Sequence, residues 1–167
     1  KETLSKVADY CNPACPRVDD ALIAKLNAVH SYGRGLHYAR QTLYAQYDIA
    51  LHASDALKVQ PLEVWKKMEG ATALGYVPTT EFPGQFGHIM GGYQVGYYGY
   101  MWSEVLALDM LSAFGNNLNN PEVGQRYRQT ILSQGGQKPA EDLVKDFLGR
   151  KPDNKAFFDE ITGQRIK

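Results

Sequence analysis

The chain has 167 residues, enough for one ordinary domain or a piece of a larger one, and its eighteen Lys and Arg balance eighteen Asp and Glu. A net charge of zero removes any general electrostatic pull toward nucleic acid or an anionic membrane, so neither is expected as a partner. Hydrophobic residues at 44% allow a packed core, while charges such as Glu104 and Asp109 interrupt every apolar run short of a bilayer span, so a soluble protein is expected.

In chain order, Leu4 and Val7 keep helical spacing, and Asn12-Pro13 and Cys15-Pro16 end that opening helix. Cys11 and Cys15 form no disulfide framework and half a zinc site at most; a local bridge between them is open, and two buried or idle thiols are the preferred reading. Asp19 is an N-cap for a helix to about His30, with Leu22, Ile23, Leu26 and Val29 on one face. After Gly33 and Gly35 a longer helix runs from about Leu36 to Ala53, with Leu36, Leu43, Tyr47 and Ala50 or Leu51 near heptad spacing. Pro61 opens a short helix carrying Leu62, Trp65 and Met68, closed by Gly70.

The interval of about 75–97 reads as a Gly/Tyr-rich loop; residues 75–99 hold seven of the sixteen glycines, with Pro78 and Pro83. From about Tyr97 a helix resumes, with Met101, Trp102, Val105, Leu108, Leu111 and Phe114 on one broad apolar face. Asn120-Pro121 starts another, carrying Val123, Tyr127 and Ile131, and a polar loop spans Ser133 to Pro139. Two short helices close the chain, one with Leu143, Val144, Phe147 and Leu148, the other with Phe157, Phe158 and Ile161. No segment alternates as an exposed strand does, so the fold class is all-α.

No H-E-x-x-H, Gly-x-Ser-x-Gly elbow, phosphate loop or dinucleotide fingerprint occurs, and His30, His37 and His52 read as surface or core-edge residues. The exceptional stretch is FGHIMGGYQVGYYGYMWSE, Phe86 to Glu104, where an imidazole and four phenols are separated by glycines that cannot fill a core. Neutral donors on a glycine-bearing backbone suit either binding of an extended peptide or stabilisation of a developing oxyanion. A loop whose tyrosines merely plug a gap between helices has the same composition.

This stretch closely resembles the segment that follows the zinc site in the thimet oligopeptidase family, which includes neurolysin, oligopeptidase A and bacterial dipeptidyl carboxypeptidase. GLHYARQTLYAQYDIALH (Gly35 to His52) is similar to the helix holding the family's Leu-Arg-Gln pattern, with Ala39 in place of Leu. VGQRYRQTILSQGG (Val123 to Gly136) and DFLGRKPDNKAFF (Asp146 to Phe158) resemble its C-terminal stretch.

The resemblance implies a mostly helical zinc peptidase that acts on short peptides in a channel between two lobes. In the family H-E-x-x-H and a later Glu bind zinc, and those elements precede the matched part. Residues 1–167 are therefore expected to be a single C-terminal segment of the catalytic domain, as the start at Lys1 also suggests, with Zn2+ held by the parent protein and no metal ligand here. His88 matches the histidine that reaches the substrate backbone, and Tyr100 the tyrosine that stabilises the tetrahedral oxyanion. Tyr93 and Tyr97 match cleft-lining positions, with Tyr97 the stronger candidate for substrate contact, and Gly91 and Gly92 would let the loop close. Tyr98 and Trp102 are expected to pack. The segment is expected to be inactive alone, with short peptides and the zinc-bearing part of the same enzyme as partners. Self-association through exposed apolar surface is a further expectation, in an intracellular setting, cytoplasmic rather than mitochondrial. The alternatives are a stand-alone helical peptide-binding module and a purely structural domain.

Overall fold

The computed structural model describes residues 19–30, 32–53 and 55–164. The opening helix and the two cysteines expected from the sequence lie outside the described residues. The described elements are helical: α1 (Asp20–His30), α2 (Arg34–Leu51), a 3-10 turn (Ala56–Lys58), α3 (Pro61–Gly70), the single turn α4 (Phe82–Gln85), a second 3-10 turn (Gly87–Met90), α5 (Gly99–Ser112), α6 (Pro121–Tyr127) running into a π turn (Arg128–Leu132), α7 (Ala140–Leu148) and α8 (Lys155–Ile161). No strand occurs among the described residues, and none of their helices is long and apolar enough to cross a membrane.

Local chemistry explains several of the helix ends. Asp19 Oδ1 accepts the Leu22 amide at 2.6 Å, and Asn120 Oδ1 accepts those of Glu122 and Val123, satisfying donors that a helix start leaves free. Pro61 and Pro121 take first-turn positions where no amide hydrogen is needed. Gly149 ends α7 with a left-handed φ of 69°, which a side chain would oppose.

The described residues fall into two compact units, those within 33–103 and those within 1–32 and 104–167. In the 33–103 unit, Leu43, Tyr47, Trp65, Phe86, Ile89 and Tyr97 are buried together. Tyr44 and Trp65 both stack on Phe82, with ring centroids 5.1 and 4.3 Å apart, so aromatic area supplies most of this core. Arg40 lies over the Tyr44 ring at 5.3 Å, and its Nη1 donates to Glu69 Oε1 at 2.7 Å, tying α2 to α3.

In the other unit, α6, α7 and α8 bury Val123, Leu143, Val144, Phe147 and Phe157. Asp109 on α5 is also buried, and its carboxylate accepts both Arg150 guanidinium nitrogens and the Asp153 amide. Burial alone would push this carboxyl up. The Arg150 and Asp153 donors outweigh it and hold the group below its ordinary value.

Within the Gly/Tyr-rich 75–97 loop, single helical turns at 82–85 and 87–90 seat Pro83, Phe86 and Ile89 in the core. Three packing expectations need correction. Trp102 is 66% exposed: Met101 takes the half-buried side of α5, and one helical step carries Trp102 away from it. Tyr98 and Leu36 are likewise exposed, so the packing role and the heptad seam stop short of them.

Candidate active-site surface

Phe86 and Ile89 anchor the 3-10 turn from below, and this leaves His88 exposed between them. Gly92 then turns the chain at φ +92°, and a Cβ on Gly91 would stand 3.0 Å from the Gly87 carbonyl oxygen. Tyr93 folds back over the following glycines: an added Cβ at Gly96 would meet its carbonyl oxygen at 3.1 Å, and one at Gly99 its phenol oxygen at 3.4 Å. The turns continue through Gly96 N to Tyr93 O at 3.1 Å and Gly99 N to Gly96 O at 2.9 Å. They deliver Tyr100 to the first turn of α5.

The four expected side chains come together. The His88 ring lies 5.4 Å from that of Tyr97, 5.7 Å from Tyr100 and 6.2 Å from Tyr93. Tyr100 lies 5.3 Å from Tyr93 and 5.1 Å from Tyr97. Their exposures differ sharply, with Tyr93 at 39%, Tyr100 at 46% and Tyr97 at 7%. Tyr97 also packs on Phe86 and Tyr44, and its hydroxyl donates to Gln41 Oε1 at 3.2 Å. Burial pushes the Tyr97 phenol up from its usual range. Tyr97 is thus the floor of the cluster, while His88, Tyr93 and Tyr100 offer hydrogen-bonding groups at its surface.

Sequence reasoning missed the residue beneath the turn. Asp48, 1% exposed near the end of α2, accepts the Val95 amide on Oδ1 and the Tyr97 amide on Oδ2, each at 3.0 Å. The one local signal was an acid in the last turn of a helix, where the dipole disfavours it. Gln41 falls in the matched helix, but its pairing with Tyr97 spans 56 positions and left no local trace.

The donor cluster is open rather than enclosed. Two concavities of about 430 and 480 Å³ in this unit are lined by other residues, among them Pro61, Pro83 and Met90 in one and Arg40, Glu69 and Thr80 in the other. Among the described residues, no group of three or more His, Cys, Asp or Glu side chains is placed to hold a metal ion.

The described helices thus gather one imidazole and three phenols on a glycine-shaped turn. Residues 15–163 match the model of peptidase family M3, and the chain belongs to that family. It is similar to oligopeptidase A of Escherichia coli, 36% identical over 145 residues that cover 83% of this chain and 21% of that protein. Saccharolysin of Saccharomyces cerevisiae is 32% identical over 150 residues, 87% of this chain and 21% of its own length. A probable cytosolic oligopeptidase A of Arabidopsis thaliana is 33% identical over 165 residues, 91% and 23% of the two chains. The chain thus spans about a fifth to a quarter of the length of these curated relatives.

Proposed function

We propose that the chain is the C-terminal, substrate-recognising and transition-state-stabilising part of a metallopeptidase that hydrolyses short peptides. The observation that carries this reading is the convergence of His88, Tyr93 and Tyr100 in a chain of family M3. Tyr100 donates its phenol hydrogen to the scissile carbonyl oxygen as negative charge develops there. A donor aimed at that charge in a dry site is worth about 3 kcal/mol. His88 donates to a backbone carbonyl of the peptide. Tyr93 lines the same surface, Tyr97 contacts substrate from its floor, and Gly91 and Gly92 let the turn close on the bound peptide.

Family M3 is zinc-dependent. The metal, its water and the general base are assigned to the remainder of the enzyme, so residues 1–167 form a single segment that is inactive alone. The exposed Leu22, Leu26 and Val29 on α1 support self-association when the segment is produced by itself. A cytoplasmic setting draws support from the cytosolic relative, and an organellar oligopeptidase A, 32% identical, makes cell fractionation the deciding measurement.

The test is complementation. The chain is mixed with a separately produced zinc-bearing segment of its parent, and cleavage of a quenched fluorescent oligopeptide is followed. Activity that needs both parts supports the reading. Peptide binding by the chain alone, with no activity on mixing, favours a stand-alone binding module instead.

A further inference from the structure

One buried carboxylate lies beneath the Gly/Tyr turn. Asp48 sits in the last turn of α2, where the helix dipole opposes an acid, and it is 1% exposed. A carboxylate buried there persists only with compensating donors. It has three. The Val95 and Tyr97 amides bind its two oxygens at 3.0 Å each, and His52 Nδ1 stands 3.1 Å from Oδ1 and 2.8 Å from the Asp48 carbonyl oxygen. Between the two bonded amides, the chain is in a conformation it would not choose: Val95 has a φ of +59°, a left-handed value that is costly for a β-branched residue. Such a backbone survives where its surroundings over-determine it.

We infer that Asp48 is a positioning residue, a clamp on the 95–97 turn that fixes Tyr93 and Tyr100 in register with His88. The clamp touches no substrate and acts only through the backbone. Tyr93 lies two residues before the first bonded amide and Tyr100 three after the second, so one carboxylate sets the spacing of both phenols. The clamp's role in turnover rests on the reading of His88, Tyr93 and Tyr100 as the donor set.

The test uses the protein expressed from its complete coding sequence, with residue-resolved hydrogen exchange and peptide-hydrolysis kinetics on Asp48→Asn, Asp48→Asn with Val95→Gly, and Tyr100→Phe. An Asn has one acceptor oxygen, and its amide group repels the second backbone donor. Asp48→Asn is expected to speed exchange at Val95 or Tyr97 at least tenfold and to lower kcat about thirtyfold, with KM moving less than threefold. Adding Val95→Gly, which accepts the left-handed turn without strain, is expected to return at least fivefold of the lost kcat. A purely structural acid would not be rescued this way. Unchanged exchange at both amides, or intact kcat in Asp48→Asn beside a crippled Tyr100→Phe, overturns the clamp. Should Asp48→Asn not fold, the unmodified protein decides: Val95 and Tyr97 amides exchanging as fast as that of Gln94 overturn it, and slow exchange at both supports it. Full activity in Tyr100→Phe sinks the donor reading instead, while the exchange data still judge the clamp.

Discussion

His88 and Tyr100 meet edge to face, their ring centroids 5.7 Å apart and their planes at 81°. They are twelve positions apart in the chain, and the glycine turns between them close that gap. If both donate to a bound peptide, His88→Ala removes one hydrogen bond of about 1.4 kcal/mol and lowers kcat/KM of the whole enzyme about tenfold. Steady-state kinetics on an oligopeptide measures this.

Tyr97 separates packing from contact. Its ring is in the core and its hydroxyl is on Gln41, so Tyr97→Ala is expected to destabilise the 33–103 unit by about 3–5 kcal/mol. Tyr97→Phe keeps the ring and loses one hydrogen bond, about 1 kcal/mol. Denaturant titration of the two variants gives the comparison, and equal losses would contradict the core placement.

Asp109 predicts an acid response. Its folded carboxyl is held below the unfolded value of about 3.9, so its stabilising effect is present above that pH and is lost as pH falls through the folded value. Arg150→Met strands the carboxylate with the Asp153 amide. Because Arg150 is itself 44% exposed, the expected loss at neutral pH is about 1–3 kcal/mol rather than the full figure for a buried pair. Stability measured from neutral to acid pH should show the variant's deficit shrinking as pH falls.

Tyr47 predicts an alkaline one. Burial pushes its phenol up to about 12, and the neutral hydroxyl donates to the Pro61 carbonyl oxygen at 3.1 Å. A raised phenol contributes stability that is complete below the unfolded value of about 10 and lost as pH rises through about 12. Tyrosinate absorbance of the parent minus that of Tyr47→Phe should show a late-ionising group that appears only as the fold opens.

The legible parts of this chain are those written locally. Asp19, Pro61 and Asn120 each act within a turn of their own position, so the helix starts they set could be read from a few residues. The Gly/Tyr pattern marked the donor turn for the same reason, since glycine at Gly92 is a backbone requirement. The bonds from Asp48 to Val95 and Tyr97, and from Asp109 to Arg150, span more than forty positions and follow from packing alone. The same limit explains the tyrosines: Tyr97 and Tyr98 are adjacent and chemically identical, yet one is in the core and the other half exposed.

The most direct measurement is kcat of Tyr100→Phe in the whole enzyme. The substitution removes one oxygen and leaves the ring in place beside His88, Tyr93 and Tyr97. A donor to the developing oxyanion predicts a fall of about a hundredfold, about 2.7 kcal/mol, at unchanged thermal stability. Undiminished turnover would make Tyr100 a packing residue and contradict the account.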